Sequence, residues 1–401
     1  MNIAVVCELN PLHNGHAAIF DFAKTLGGGR NNVIAVMSGN YTQRGEPAIV
    51  DKWSRARMAV MCGADMVIEI PSVYAQQSAQ FFADAAVDVM CRSGICDALV
   101  FGSECGDVGF LDSLAEKKLG GEFSLSLKEL LDGGLSYPRA IADVYGCALG
   151  ANDILGVEYL AALKKRGAEA KVFAMKRVGG ANHKETEVPI DGEGIASAAA
   201  IRSAVRSGAA GLGAVEKLMP EEAFELFRQL VEAGKYVPSM SAYNALIIGK
   251  LREIGADGIG SFPFASGGLA ECIYKAACET ADVDELVAKA TGKNFTSGRI
   301  RRTILSTLTG ARMDMLGDII SVPYVRVLAV SKDKGDLLSG LYKNGAAVIA
   351  GNVPKDFREK FPEKAARLLS CEITATDYYP IGMKSPNEPA RRELTVPLLR
   401  L

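Results

Sequence analysis

Histidine and tryptophan are scarce in this chain, with three and one among 401 residues. Charge of either sign is not in excess. Lysine and arginine number 45 against 47 acidic residues, for a net charge of -2. That excludes a global attraction to nucleic acid or to anionic membranes, so any such affinity must come from local basic patches. No apolar run approaches the roughly 20 residues needed to span a bilayer. The opening MNIAVVCELN has no basic segment followed by an apolar stretch and a cleavage site, so no signal peptide is expected. The nine cysteines include no CxxC pair, and Cys91, Cys96 and Cys105 lack zinc-site spacing. Reduced thiols in a cytoplasmic protein without a metal site are expected. A chain this long, 49% apolar, can bury a large core without metal or disulfide staples, and its length suggests two domains.

The pattern along the chain is alternating. NIAVVCE (2–8), NNVIAVMSG (31–39), DMVIEIP (65–71), ALVFGSE (98–104) and AKVFAMKRV (170–178) read as short buried strands. Helical spacing occupies 14–26, 51–62, 76–92, 123–132, 137–147 and 152–167. Strands separated by helices of this size predict an α/β fold, a Rossmann-like, mostly parallel sheet covered on both faces. Near 205 the pattern becomes largely helical, at 221–233, 240–254, 268–279, 283–291 and 299–310, with strand-like runs at 322–331 and 346–353. The expectation is a catalytic domain over 1–205 followed by a mostly α-helical domain over 206–401.

Two of the three histidines fall in CELNPLHNGH (7–16), the loop after the first strand. In α/β sheets ligands bind beyond the carboxyl ends of strands, where the next helix presents free N–H groups to phosphate. Gly15 permits close backbone approach, and His13 and His16, three apart at a helix start, can face one ligand. Imidazoles there can donate hydrogen bonds to a phosphoryl group as charge builds. The plain alternative is a helix cap and a packed core residue. Zinc is disfavoured, since HxxH offers two ligands and His183 does not complete a recognisable site.

HxGH after a first strand resembles the nucleotidyltransferase-like superfamily shared with class I aminoacyl-tRNA synthetases. IASAAAIR (195–202) is similar to that superfamily's ISSTxIR signature at Ser197 and Arg202, with Ala198 and Ala199 departing from it. YTQRGEPAIVDKWSRARMAV (41–60), GADMVIEIP (63–71), FGSE (101–104), ANDILGVEYLAAL (151–163) and KRVGGANHKE (176–185) follow the same order as in the bacterial tRNA(Met) cytidine acetate ligase family, which the whole chain closely resembles. The match is tight over 1–205 and looser beyond, where FTSGRIRRTIL (295–305) and VPYVRVLAVS (322–331) carry it. SGGLAE (266–271) stands where the family has an EGLE-like stretch, without one of its acidic side chains.

The resemblance implies ATP-dependent joining of acetate to the N4 amine of the wobble cytidine, C34, of elongator tRNA(Met). Acetyl-adenylate forms with release of pyrophosphate, the amine then attacks, and AMP leaves. ATP and acetate are substrates, Mg²⁺ accompanies ATP, and no protein partner or membrane is implied. His13 and His16 would be catalytic. The family's ATP-binding positions fall here on Cys7, Glu8, Asn10, Pro11, Asn14, Gly15 and Phe20 of the loop 7–20, and on Gly102, Asn152, Arg177 and Val178, joined by Ser197 and Arg202. Asn152 could equally cap its helix. Gln43, Arg44 and Glu46 would lie on an active-site loop. A tRNA needs a basic surface, and Lys293, Arg299, Arg301 and Arg302 form the densest candidate, although RIRR also reads as a solvated helix face. Rival readings are a nucleotidyltransferase adenylylating a small phosphorylated acceptor and a catalytically silent RNA-binding protein.

Overall fold

The computed structural model describes residues 1–135, 137–177, 196–206, 209–317 and 320–401. Its centre is one eight-stranded sheet. β1 (Asn2–Cys7), β2 (Asn32–Ser38), β3 (Met66–Ile70), β4 (Ala98–Ser103) and β5 (Lys171–Lys176) are parallel, in the spatial order β5-β4-β1-β2-β3. The order reverses between β1 and β4, the switch point where open α/β sheets bind ligands. The expected Rossmann-like arrangement is therefore present.

Side chains along these strands alternate between two apolar layers, as the two-residue period of a strand requires. Ala4, Ile34 and Val36 face one layer with the helices Ala79–Ser93 and Ala151–Arg166, while Ile3, Val5, Val33 and Ala35 face the other with Asn14–Thr25 and Lys52–Met61. The chain returns to this sheet late. β6 (Tyr324–Val330) pairs antiparallel with β3, and β7 (Val348–Ala350) and β8 (Leu399–Arg400) pair with β6. A third apolar cluster joins the helices Asn244–Gly260, Leu269–Glu279, Val283–Ala290 and Ser297–Thr309, and includes Tyr41 and Tyr379.

A buried charge cluster fastens the late strands to the early ones. Lys52 is fully buried at the start of its helix. Its Nζ lies 2.6 Å from Glu69 on β3 and 3.2 Å from Glu372, and also pairs with Glu393. Glu393 is 3.2 Å from Arg326 of β6, which sits opposite Glu69 in the ladder. Glu372 accepts Ser72 N at 2.7 Å and Ser72 Oγ at 3.0 Å. Burial, together with the neighbouring Glu372 and Glu393, pushes Glu69 well above the usual carboxylate range despite Lys52. Burial would also raise Glu393, but Lys52 and Arg326 override it and hold that carboxyl down. Replacing Lys52 with methionine should leave buried carboxylate charge unpaired and cost about 3–5 kcal/mol, read as a lower urea midpoint.

Candidate active site

β1 ends at Cys7, whose buried thiol is pushed up to about 12. The loop that follows is held from below by Arg55, a fully buried guanidinium one helical turn from Lys52. It donates to Glu8 O at 2.5 Å, Ser38 O at 3.2 Å and Val50 O at 3.1 Å, and also to Gly39 O. The Glu8, Ser38 and Gly39 carbonyls lie where β1 and β2 end and the ladder no longer supplies donors, and Val50 O lies in the loop just before the helix Lys52–Met61. The Asn10 side chain accepts Ile49 N at 2.7 Å, and Gln43 N donates to Glu8 Oε1 at 2.7 Å. The two loops after β1 and β2 are thus one hydrogen-bonded body. Burial raises the Glu8 carboxyl, partly offset by the Gln43 hydrogen bond and by Arg44, Arg202 and Arg55.

Both histidines start the helix Asn14–Thr25. His13 is its N-cap, its Nδ1 accepting Gly15 N at 3.1 Å, and His16 Nδ1 accepts His13 N at 3.2 Å. This reciprocal arrangement is a capping box built from two imidazoles. The rings are 3.9 Å apart. Since each Nδ1 is an acceptor, each neutral ring carries its proton on Nε2. Burial, with Arg177 adding to it, lowers His16 to about 4, and burial, His16, Arg177 and Arg202 lower His13 well below its ordinary value. The pair is therefore two neutral N–H donors at a helix N-terminus, suited to a phosphoryl group and not to proton abstraction.

The other expected residues are distributed around this pair. Arg202, on the helix Ala198–Arg206 that Ser197 caps through a 3.1 Å hydrogen bond from Ala200 N, donates to Asn10 O at 2.7 Å and lies 3.8 Å from Glu46. Arg177 follows β5, its backbone N bonded to Ser103 O at 2.9 Å, and its side chain passes Gly102 on β4. Pro11 is buried in the loop, and Phe20 is fully buried in the apolar layer beneath it. The Asn14 side chain is tied to Lys217 O at 2.8 Å. Asn152 does not cap its helix. Instead its Nδ2 donates 2.7 Å to Glu104, a residue the sequence reading passed over. Val178 and His183 lie outside the described residues.

The candidate basic patch packs against the same loops. Gly45 has φ +74°, and a Cβ there would lie 2.7 Å from Arg302 N, so the loop 41–47 presses on the helix Ser297–Thr309. Arg299 donates to Phe264 O at 2.9 Å and Ser266 O at 2.8 Å. Arg301 is 3.2 Å from Asp284 and 4.0 Å from Glu46, Arg302 is part-buried, and Lys293 is exposed. Among the described residues, one group of three carboxylates is close enough to share a cation: Glu69, Glu372 and Glu393. The Lys52 ammonium sits among them, so the group does not fit a magnesium ion.

The HIGH Nucleotidyl Transferase family model matches residues 1–393. The tRNA(Met) cytidine acetate ligase of Acetivibrio thermocellus is 33% identical over 402 residues, spanning 96% of this chain and 95% of its own. The chain belongs to this family. The ligase of Caldanaerobacter subterraneus subsp. tengcongensis is likewise 33% identical, over 96% of both chains. Crystal structures of the family member TmcAL from Thermotoga maritima superpose over the full length of both chains. The apo form gives a TM-score of 0.90 at 29% identity, and the form bound with alpha-thio ATP gives 0.88 at 28%.

The histidines predict a definite pH behaviour. An unfolded histidine titrates near 6.5, whereas His16 in the fold titrates at about 4. The unfolded chain binds more protons between these values, so stability is lost as pH falls through that window. A His16→Asn variant should show a flatter decline in urea midpoint than the parent between about pH 6.5 and 4, the difference between the two curves being the measured quantity.

Proposed function

We propose that this chain is an ATP-dependent ligase that forms N4-acetylcytidine at the wobble position, C34, of elongator tRNA(Met), in the cytoplasm. The observation that carries the chemistry is the imidazole pair: both Nδ1 atoms are spent on the helix cap, which leaves each Nε2–H as the donor that can meet a ligand. An acetate oxygen attacks the α-phosphorus of ATP, and the bond to the β-phosphate oxygen breaks, releasing pyrophosphate. His13 and His16 donate to the α-phosphate as negative charge concentrates there. Arg177 and Arg202 meet the β- and γ-phosphates as charge-assisted donors. Cys7, Glu8, Asn10, Pro11, Asn14, Gly15 and Phe20 shape the phosphate loop. Gly102, Asn152, Val178 and Ser197 complete the nucleotide's surroundings.

The cytidine amine then attacks the acetyl carbonyl, AMP leaves, and the nitrogen gives up a proton. Residues 1–205 carry this chemistry in our reading, and the helical residues that follow supply the tRNA contact, with Lys293, Arg299, Arg301 and Arg302 as the first candidates. The closeness of Arg301 and Arg302 to the loop 41–47 supports that assignment, because the wobble base must come within bonding distance of the adenylate. Mg²⁺ would arrive on the ATP phosphates and neutralise their charge, and no step is assigned to a protein-bound metal.

Unmodified elongator tRNA(Met) incubated with the protein, ATP, Mg²⁺ and acetate should yield N4-acetylcytidine by nucleoside mass spectrometry, and acetyl-CoA should not replace ATP and acetate. AMP transferred to another acceptor would instead favour a plain nucleotidyltransferase. No ATP consumption by folded protein would favour an RNA-binding protein without catalysis.

A second measurement addresses the histidines. His13→Asn keeps a good N-cap while removing the imidazole donor. It should cut acetate-dependent pyrophosphate exchange by about 10²–10³-fold with little change in melting temperature. Full activity in that variant would remove His13 from the mechanism.

A further inference from the structure

Two of the helices that begin at the carboxyl edge of the sheet are finished in opposite ways. Asn14–Thr25, after β1, is capped by two neutral imidazoles. Ala151–Arg166, beside β4, is capped by a carboxylate reaching in from the adjoining strand. Glu104 Oε1 accepts Asn152 Nδ2 at 2.7 Å and Asn152 N at 3.3 Å, and its Oε2 accepts Asp153 N at 2.9 Å. Asp153 answers by accepting Glu104 N at 2.9 Å and the Ser103 hydroxyl. Gly150 leaves room for the Glu104 side chain, since a Cβ there would lie 2.4 Å from its carboxyl carbon.

We propose that Glu104 is a positioning residue for the nucleoside half of the substrate, holding the Asn152 amide so that its oxygen is offered to a donor on the sugar or base. This inference rests on the ATP reading above. An amide has one donor end and one acceptor end. With Nδ2 committed to Glu104, Oδ1 is turned away from that carboxylate and has no protein partner among the described residues. It is an acceptor, so it takes a hydroxyl or an amine and rejects a phosphate oxygen. The charge agrees. A carboxylate at a helix N-terminus offsets the partial positive charge that would draw phosphate. The neutral pair on the other helix leaves that charge available.

Between them Gly102 has no side chain, and a Cβ there would touch only Arg177 methylenes, at 3.8 Å and 4.0 Å. β1 and β4 are neighbours in the sheet, so the two helix ends flank one crevice. The polarity of their caps sets the direction of the nucleotide: triphosphate at His13 and His16, nucleoside at Asn152.

The test splits ATP into its halves. Adenosine and inorganic tripolyphosphate are used as competitive inhibitors of acetate-dependent pyrophosphate exchange. Glu104→Ala should weaken adenosine inhibition and raise KM for ATP about tenfold, the loss of one oriented hydrogen bond, with tripolyphosphate inhibition and kcat within about twofold of the parent. Glu104→Gln retains an acceptor for Asn152 and should restore most of the adenosine affinity. If Glu104→Ala does not fold, Glu104→Asp, which withdraws the carboxylate by one methylene, carries the same comparison. Unchanged adenosine inhibition in the folded variant would overturn the proposal. So would equal weakening of both halves, which is the result of general loosening. A parent protein that makes no adenylate at all would bring down the ATP reading, and this inference with it, before Glu104 is touched.

Discussion

A lysine ammonium without water around it has to be surrounded by anions, and Lys52 draws its anions from three distant parts of the chain. Glu69 comes from β3, Glu372 from the helix Glu363–Tyr378 and Glu393 from the segment before β8. That requirement brings the last 80 residues back onto a sheet whose first five strands are already in place. Such a cluster gains little over a well-packed apolar core, but it is intolerant of missing members. It therefore specifies which segments meet more than it adds stability.

The same helix carries Arg55, whose guanidinium collects carbonyls from the ends of β1 and β2 and from the loop between β2 and the helix. Lys52 fixes the far half of the chain, and Arg55 fixes the floor of the loop after β1. Two buried cations three residues apart thus connect the architecture to the site. The imidazoles are already oriented by the cap, so in the proposed reaction little reorganisation would be needed as the phosphoryl group becomes more negative.

The five parallel strands were legible because each is an apolar run ended by a turn residue, and the HxGH loop because histidine is otherwise so rare in the chain. Partners were less legible. Glu69 in MVIEI (Met66–Ile70) and Arg326 in YVRVLAV (Tyr324–Val330) are lone charges of opposite sign in buried strands, and that was a signal for their cross-strand pairing. β8 is two residues long and has no periodicity to detect. The helices Val108–Leu119 and Glu363–Tyr378 were missed since their apolar positions are diluted by charged and small residues. RIRR was correctly placed on a helix, but local sequence shows charge and not its destination: Arg299 is occupied by two backbone carbonyls of a loop 33 and 35 residues earlier in the chain. Glu104 was hidden for the same reason, because its partners at 152 and 153 are near it only in space.

The imidazole capping box also has an evolutionary side. A residue that serves chemistry alone can drift once the chemistry is dispensable, and the cell notices only the missing product. His13 and His16 also begin the first helix of the sheet's first crossover, so many substitutions there would be seen by the machinery that clears unfolded chains before any substrate is encountered. In the proposed mechanism, selection for a durable fold and selection for adenylate formation would press on the same two side chains, which would make a folded descendant without the pair harder to reach than one that has merely lost its acceptor.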